Sequence, residues 1–578
     1  MTSTRFSESM GTTSRRRLGV GDVVVFVAVV VVLYVIVRVG RGATVSFAPT
    51  QVDTIDTSPS HLPYYVARSL IRMFVALGIS TVFTLIYGYV AARNRRAEKV
   101  LIPVLDILQS VPVLGFLSIT VSAFIALAPG SLLGLEMASV FAIFTSQAWN
   151  MTFSFYHSVA TLPRELDELS RNLRFTRWMR FWKVEVPHSA IGLSWNAMMS
   201  FGGGWFFLSA AEAISVLNSQ HALPGIGSYA AAAIDAGDIG KVWLAILTMV
   251  LVVLAVNFLF WRPLIASVER YKIELSESSN APRSLFLDFL RSTRWPRLVG
   301  RVRRSIADPL GHAMAVFGTD TRPLRVDLRR RRVGDVVWGV VVGALICWGL
   351  YSLVAYTVDH DGLGVYLTAL WLGFVTMIRV IVLVAVATVV WVPIGVKIGM
   401  SSRWSRLAQP VVQILASFPA NFLFPFATLA FIHFGVSLNF GGILLMSLGA
   451  QWYILFNVIA GAQAIPSDLR EAMDDLGVTG WQRWRRMILP AVFSSYVTGA
   501  ITASGGAWNA SIVAEIVTYG GTTLTATGLG AFIAQATQDG NFTKILAGVA
   551  VMAFYVVGIN RLVWRRLYRL AERRYSLS

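Results

Sequence analysis

The sequence is poor in charge and nearly devoid of cysteine. Charged residues make up 14% of the 578 residues, while 55% are hydrophobic. A soluble protein would carry about a quarter charged residues, so an ordinary soluble globular chain is excluded. The one cysteine, Cys347, lies in an apolar segment. That excludes a disulfide framework and a Cys-based metal site. His61, His157, His221, His360 and His433 show no ligand spacing to one another, and no metal site is expected. No G-x-x-x-x-G-K-[ST] motif occurs; Gly237-Asp-Ile-Gly240-Lys241 is too short and lacks the hydroxyl. Paired catalytic carboxylates and nucleophile motifs are missing too. The chain is therefore not read as an enzyme, and any nucleotide chemistry must belong to another subunit.

What fills the sequence instead is a series of apolar runs near or above the length that crosses a bilayer. The chain reads as an all-α polytopic membrane protein. Its formal charge of +19 does not point to nucleic acid. The basic residues sit in short loops between apolar runs, where positive-inside topology places them. Residues 1–18 are Ser-, Thr- and Arg-rich and read as a disordered cytoplasmic N-terminus. The first apolar run follows Arg15, Arg16 and Arg17 and lacks a convincing small-residue cleavage site, so it reads as a retained helix. Spans are expected near 20–38, 67–92, 107–127, 133–153, 189–214 and 242–261, within a first transmembrane domain at 19–264. A basic linker at 265–332 follows; it reads either as a solvated tether or as a segment lying on anionic lipid. A second transmembrane domain is expected at 333–568, with a cytoplasmic tail at 569–578.

The second half repeats the first. Gly21-Asp22 recurs as Gly334-Asp335, Arg72 as Arg379, Pro103 and Pro112 as Pro410 and Pro419, and Gln147 as Gln451. In the last third of each half the offset holds at 303 residues: Gly203/Gly506, Trp205/Trp508, Glu212/Glu515, Gly225/Gly528, Lys241/Lys544 and Asn257/Asn560. Two homologous six-span units with their ends on the same side form a parallel duplication, related by a pseudo-two-fold axis along the membrane normal.

One polar stretch also occurs twice, from Pro163 to Pro187 and from Pro466 to Pro490. In the second copy Ser467 and Asp468 suit a helix start, and Gly477 suits the left-handed residue that ends one. A second short helix over 480–489 carries Arg483, Arg485 and Arg486 beside Trp481, Trp484 and Met487. Glu471-Ala472, Gly477 six residues after the Glu, and Leu489-Pro490 resemble the EAA loop of the membrane subunits of binding-protein-dependent ABC importers. The first copy keeps Glu168 and Pro187 but has Leu169 and Ser170 for the small residues and Arg174 for the Gly. A non-Gly residue in a left-handed turn is strained by about 1 kcal/mol or more. The first loop must therefore take another shape or bear that strain.

The resemblance extends to the nitrate, sulfonate and taurine group, through WNASIVAEI in the fifth span of the second half. It implies two type I importer domains fused in one chain, in a bacterial or archaeal plasma membrane with both termini cytoplasmic. It further implies an ATPase dimer docked on the two loops and holding ATP and Mg, an extracytoplasmic binding protein, and a small anion such as nitrate, sulfonate, taurine or bicarbonate as substrate. Coupling then falls to Glu168, Leu169, Arg174, Glu471, Ala472 and Gly477. Candidate pathway residues are Trp205 and Glu212 in one fifth span, Trp508, Asn509 and Glu515 in the other, and Arg72 and Arg379 in the second spans. Intramembrane ionisable groups are functional candidates by default. The other readings are that the glycines at 202–204 and 505–506 pack the halves together, and that each Arg forms a structural ion pair with Glu212 or Glu515. An ion-gradient-driven secondary transporter and a pore or scaffold protein are the alternative classes; both leave the duplicated loop unexplained.

The Lys/Arg asymmetry carries a direct test. Cysteines placed at Ser279 and Asp361 should be labelled from opposite sides of the membrane; labelling from one side would refute the scheme.

Overall fold

A computed structural model describes residues 20–43, 55–110, 113–213, 215–216, 219–220, 223–268, 285–293, 328–519 and 522–574. The segment 1–18, His221, Ser279, most of the linker 265–332 and the end of the tail lie outside them. In the first half the helices are α1 (Val20–Ala43), α2 (Leu62–Arg93), α3 (Arg95–Ser110), α4 (Val113–Leu127), α5 (Leu133–Ala160), α6 (Arg164–Asn172), α7 (Arg177–Arg180), α8 (Val186–Glu212), α9 (Ile226–Asp235), α10 (Ile239–Val256) and α11 (Arg262–Val268). A short helix, α12 (Leu285–Ser292), lies within the linker. The second half has α13 (Leu328–Asp361), α14 (Gly364–Gly399), α15 (Ser402–Ser417), α16 (Phe424–Phe434), α17 (Leu438–Gln463), α18 (Ser467–Asp475), α19 (Gly480–Arg483), α20 (Leu489–Ala514), α21 (Leu529–Gln538), α22 (Phe542–Ile559) and α23 (Arg565–Arg574). A two-stranded antiparallel hairpin follows each fifth span: β1 (Ser215–Val216) with β2 (Ser219–Gln220), and β3 (Ile516–Tyr519) with β4 (Thr522–Thr525).

Among the described residues seven helices are long and apolar enough to cross a membrane, and the bent pair α15–α16 adds an eighth candidate. The other four elements of the six-per-half pattern are α1, the α3–α4 pair, α5 and α8. Helices α5 and α8 have the length, 28 and 27 residues. They are less apolar because Glu136, Gln147, Asn196 and Glu212 lie within them.

The third span of the second half is not a straight rod. Its two arms meet at 84°. Pro419 explains the bend: it lacks an N–H, and Phe418 before it is driven to an extended ψ of 130°. The second short helix of each loop also differs from expectation. It does not stop at a turn but passes through one π turn, Phe181–Glu185 or Trp484–Ile488, straight into the fifth span. A second pair of π turns, Asn257–Trp261 and Asn560–Trp564, breaks the two sixth spans at matching positions. Such turns are rare, and all four obey the offset of 303. The N-caps of α10 and α22 match as well: Asp238 accepts from Lys241 N at 3.1 Å and Asn541 from Lys544 N at 3.0 Å.

Contacts between the halves are reciprocal. The start of α4 meets the fifth span of the second half, where Val113 N donates to Asn509 Oδ1 at 3.0 Å. The equivalent segment after Pro419 meets the fifth span of the first half, where Ser209 and Asn421 are bonded at 3.0 Å. Tyr519, in the hairpin of the second half, donates to Gly237 O of the first at 3.2 Å. Like ends meet like ends, as a parallel pseudo-two-fold requires. All four short helices α6, α7, α18 and α19 therefore lie at one end of the molecule and both hairpins at the other.

Arg174 settles how the first loop turns. It is the one non-Gly residue with positive φ, +48°, among the described residues, and Gly477 has φ +63°. Both turns close with the same pair of bonds: Arg174 N to Arg171 O and Phe175 N to Ser170 O in one, Gly477 N to Asp474 O and Val478 N to Met473 O in the other. The first loop thus keeps the shape and bears the strain. Arg174→Gly should be stabilising by roughly 0.5 kcal/mol, because relief of about 1–2 kcal/mol of strain exceeds the roughly 0.4–1 kcal/mol of added unfolded-chain entropy. Thermal unfolding of the purified variant checks the sign.

Candidate functional site

The fifth spans hold the site. Both run unbroken through their glycines; those at 202–204 serve close approach, whereas a Cβ on Gly505 would meet nothing within 4 Å among the described residues and one on Gly506 only an ordinary contact. Three matched pairs, Gly203/Gly506, Phe206/Asn509 and Phe207/Ala510, line one cavity at the junction of the halves. Gly203 leaves room for the Tyr453 hydroxyl, 3.1 Å from where a Cβ would stand. Asn509 is thus placed where the halves meet. Trp205 and Trp508 are not on this wall. Each is 1% exposed, Trp205 edge-on to Phe201 and Trp508 stacked on Tyr555; Trp205 lines a different, smaller cavity, with Gln413, Ile414 and Ser417 of the other half.

Glu212 and Glu515, the last polar residues of these spans, are fully buried. A carboxylate so placed must be paired and hydrogen-bonded. In the second half Glu515 Oε1 accepts from Arg379 Nη1 at 2.7 Å and from Thr376 Oγ1 at 2.8 Å. Its Oε2 accepts from Gly530 N at 2.8 Å and Ala531 N at 3.2 Å, at the N-terminus of α21. The first half repeats this: Glu212 Oε1 accepts from Arg72 Nη1 and from Ser69 Oγ, both at 2.6 Å, and Oε2 from Gly227 N at 2.7 Å. Each carboxylate thereby fastens the second span, the fifth span and the short helix after the hairpin. Gly225 and Gly528 are required, since a Cβ on either would stand 2.2 Å from the carboxylate.

The two clusters differ in one respect. Arg72 also donates from Nε and Nη2 to Glu136, at 2.5 and 2.7 Å, and Arg68 is bonded to the same carboxylate. In the second half Val375 occupies the position of Arg68, and Asn439 takes the place of Glu136, bonded to Arg379 through its carbonyls at 2.8 and 3.1 Å. The first cluster holds two guanidiniums and two carboxylates, the second one of each. Both are neutral. Arg72, Arg379, Glu212 and Glu515 stand in the sequence as pathway candidates, with an Arg–Glu ion pair as the other reading, and the structure brings them together in such pairs; Arg68, Ser69, Glu136, Thr376 and Asn439 were not among the candidates. Glu136, an ionisable group four residues into an apolar span, was the signal available.

At the opposite end the loop residues Glu168, Leu169, Arg174, Glu471, Ala472 and Gly477 are all exposed. The loops also expose apolar side chains beyond the spans, Leu173 at 55%, Leu476 at 75% and Trp481 at 71%. The first loop is braced from within: Arg180 pairs with Asp167 and with Glu185, and Arg93 pairs with Glu185. In the second, Arg483 pairs with Asp474.

A profile of the family described as "Binding-protein-dependent transport system inner membrane component" matches this chain twice, over residues 84–261 and 391–577. Similar curated proteins include the nitrate import permease protein NrtB of Leptolyngbya laminosa, 25% identical over 193 residues, which is 33% of this chain and 66% of that protein. The bicarbonate transport system permease protein CmpB of Synechococcus elongatus is 26% identical over 189 residues, 33% of this chain and 64% of the relative. The putative aliphatic sulfonates transport permease protein SsuC of Bacillus subtilis is 30% identical over 165 residues, 28% of this chain and 55% of the relative. The chain thus spans just under two thirds of the length of the first of these relatives.

Removing one member of a buried pair leaves an uncompensated charge. Arg379→Met should destabilise the protein by roughly 3–5 kcal/mol, and adding Glu515→Gln should restore much of that. Thermal unfolding in detergent reads both; equal losses in the single and double variants would show that pairing is not what matters.

Proposed function

The chain belongs to the family of binding-protein-dependent transport system inner membrane components, and on that premise we propose that it forms the whole translocation pathway of an ABC importer for a small anion. The observation that carries this reading is the pair of matched loops at one end of two fused halves. Each presents a turn of the same backbone shape with exposed apolar and acidic side chains outside the spans. Surfaces of that kind suit the grooves of a partner protein, with the apolar residues as anchors. The partner is a pair of cytoplasmic ATPase subunits, which bind ATP and Mg; this chain supplies no nucleotide-binding motif. An extracytoplasmic binding protein delivers substrate at the hairpin end.

The mechanism follows from where the halves touch. Asn509–Val113, Ser209–Asn421 and Tyr519–Gly237 tie them together near and above the cavity. The loop helices are continuous with the fifth spans through the π turns, so displacement of a loop moves the cavity wall on that side. Nitrate, bicarbonate and sulfonates are the substrate classes to test first, since the relatives' names specify these ions. The protein is placed in a bacterial or archaeal plasma membrane with its termini cytoplasmic, supported by the basic residues in the loop-side segments.

The test is purification with the natural partners, followed by ATPase assays over nitrate, bicarbonate and aliphatic sulfonates in the presence of the binding protein. Stimulation by one of them is expected; none by any would remove the anion assignment. Glu471→Lys or Leu476→Asp should weaken ATPase association roughly tenfold or more and abolish uptake with little change in thermal stability. Unchanged association and uptake in both variants would remove the coupling assignment.

A further inference from the structure

The two fifth spans differ along the face that each turns to the other half. In α20, Ser494, Thr498, Thr502, Gly505 and Asn509 recur at spacings of three and four residues and so share one face. Other faces of α20 are taken up within its own half. Tyr496 is bonded to Thr388 of α14 at 3.0 Å, Gly499 lies against the Tyr453 backbone of α17, and Trp508 stacks on Tyr555 of α22. The polar face is turned to the first half, where Asn509 accepts from Val113 N. The matched positions in α8 are Ile191, Trp195, Met199, Gly202 and Phe206. One span offers hydroxyls and an amide where the other offers a thioether and rings.

Packing differs in the same sense. Helix α8 lies against α15, so closely that a Cβ on Gly202 would stand 2.5 Å from Ser417 Oγ. The space beside Met199, Ala416, Ser417 and Phe456 is about 20 Å³, room for about one water molecule. On the other side, nothing among the described residues lies within 4 Å of where a Cβ on Gly505 would stand. Thr498 is exposed although it lies on the face turned to the first half. In α3, Gln109 takes the position of Ala416, as Pro112 takes that of Pro419, and it too is exposed. Its Nε2 donates to Asn150 Oδ1 at 3.1 Å. Asp106 stands one turn earlier in the sequence, where α15 has Gln413. Thr498 and Thr502 donate to the carbonyls of Ser494 and Thr498 at 3.1 and 3.0 Å, which leaves their oxygen lone pairs to water. Thr498 and Thr502 lie between Asn509 and the loop, so this gap runs from the cavity toward the loop end.

We propose that solute travels between the cavity and the loop end on one side of the junction only. It passes through the cleft between α3 and α20, walled by Thr498, Thr502 and Gln109, while the α8–α15 side stays shut. The proposal takes its cargo from the importer reading and rests on it. Hydroxyls and amides replace part of a solute's hydration shell without holding it tightly, as a passage requires. The thioether and rings of the matched face in α8 offer no such replacement.

The test is thiol labelling of the full chain, purified with its partner subunits and free of nucleotide. Cys347, which is exposed, is first replaced by Ala. A charged methanethiosulfonate reagent should modify Thr498→Cys and Thr502→Cys roughly tenfold faster than Met199→Cys at the matched position. Thr502→Val should lower uptake severalfold with ATPase association unchanged, and Thr502→Ser should retain it. Met199→Leu should leave uptake unchanged. Equal labelling of the two sides, protection of both, faster labelling on the α8 side, or wild-type uptake in Thr502→Val would each overturn the proposal. If one of the α20 cysteine variants does not fold, the other decides. Labelling needs neither substrate nor ATP. A dry cleft in a complex whose ATPase an anion still stimulates therefore sinks this proposal alone, whereas a wet cleft in a complex that no anion stimulates sinks the anion assignment.

Discussion

The structure depends on a carboxylate that cannot be left alone. A fully buried Glu is tolerable only with an opposite charge and enough donors to occupy its oxygens. Glu212 and Glu515 meet that demand with an Arg from the second span, a hydroxyl one turn before it, and backbone N–H groups of the helix that follows the hairpin. Three separate stretches of chain are thereby pinned at one point. Gly225 and Gly528 exist because that point has no space for a side chain. The hairpin between fifth span and short helix is held by its two ends, which places it over the junction of the halves.

Neutrality, rather than residue identity, is what the two halves share. One has Arg68 and Glu136 in addition to the basic pair; the other has Val375 and Asn439. Losing either charged residue alone would strand its partner in a low-dielectric interior, whereas losing both costs little. The same freedom shows at the cavity, where Phe206 and Phe207 on one wall oppose Asn509 and Ala510 on the other. Backbone symmetry is retained while the wall is chemically two-sided, with an amide on one face and rings on the other. A single fused chain permits this, since each half needs to fit only one partner.

The loops show the reverse relation, different residues on one backbone. Arg174 and Gly477 occupy the same left-handed position with the same closing bonds. A strained residue persists where the surrounding structure over-determines it. In the first loop that structure is the set of pairs among Arg93, Asp167, Arg180 and Glu185. The turn is thus kept at a cost, its backbone shape preserved where its sequence is not.

The sequence by itself determined the apolar, helical character of the chain, its duplication and its parallel sense, because apolar run length, charge placement and a constant offset are local quantities. It also marked Arg72, Arg379, Glu212 and Glu515 as unusual, since ionisable groups in apolar runs stand out whatever the fold. Tertiary structure alone decided which of them meet. The pairs Arg72–Glu212 and Arg379–Glu515 are 140 and 136 residues apart, and the alternatives of a lining charge and an ion pair differ only in how helices rotate against one another. That rotation also turned Trp205 and Trp508 inward while leaving Asn509 at the cavity, though all lie within a few residues on equivalent helices. A helical position fixes a side chain to a face, but which neighbour that face meets is set by packing across the whole bundle.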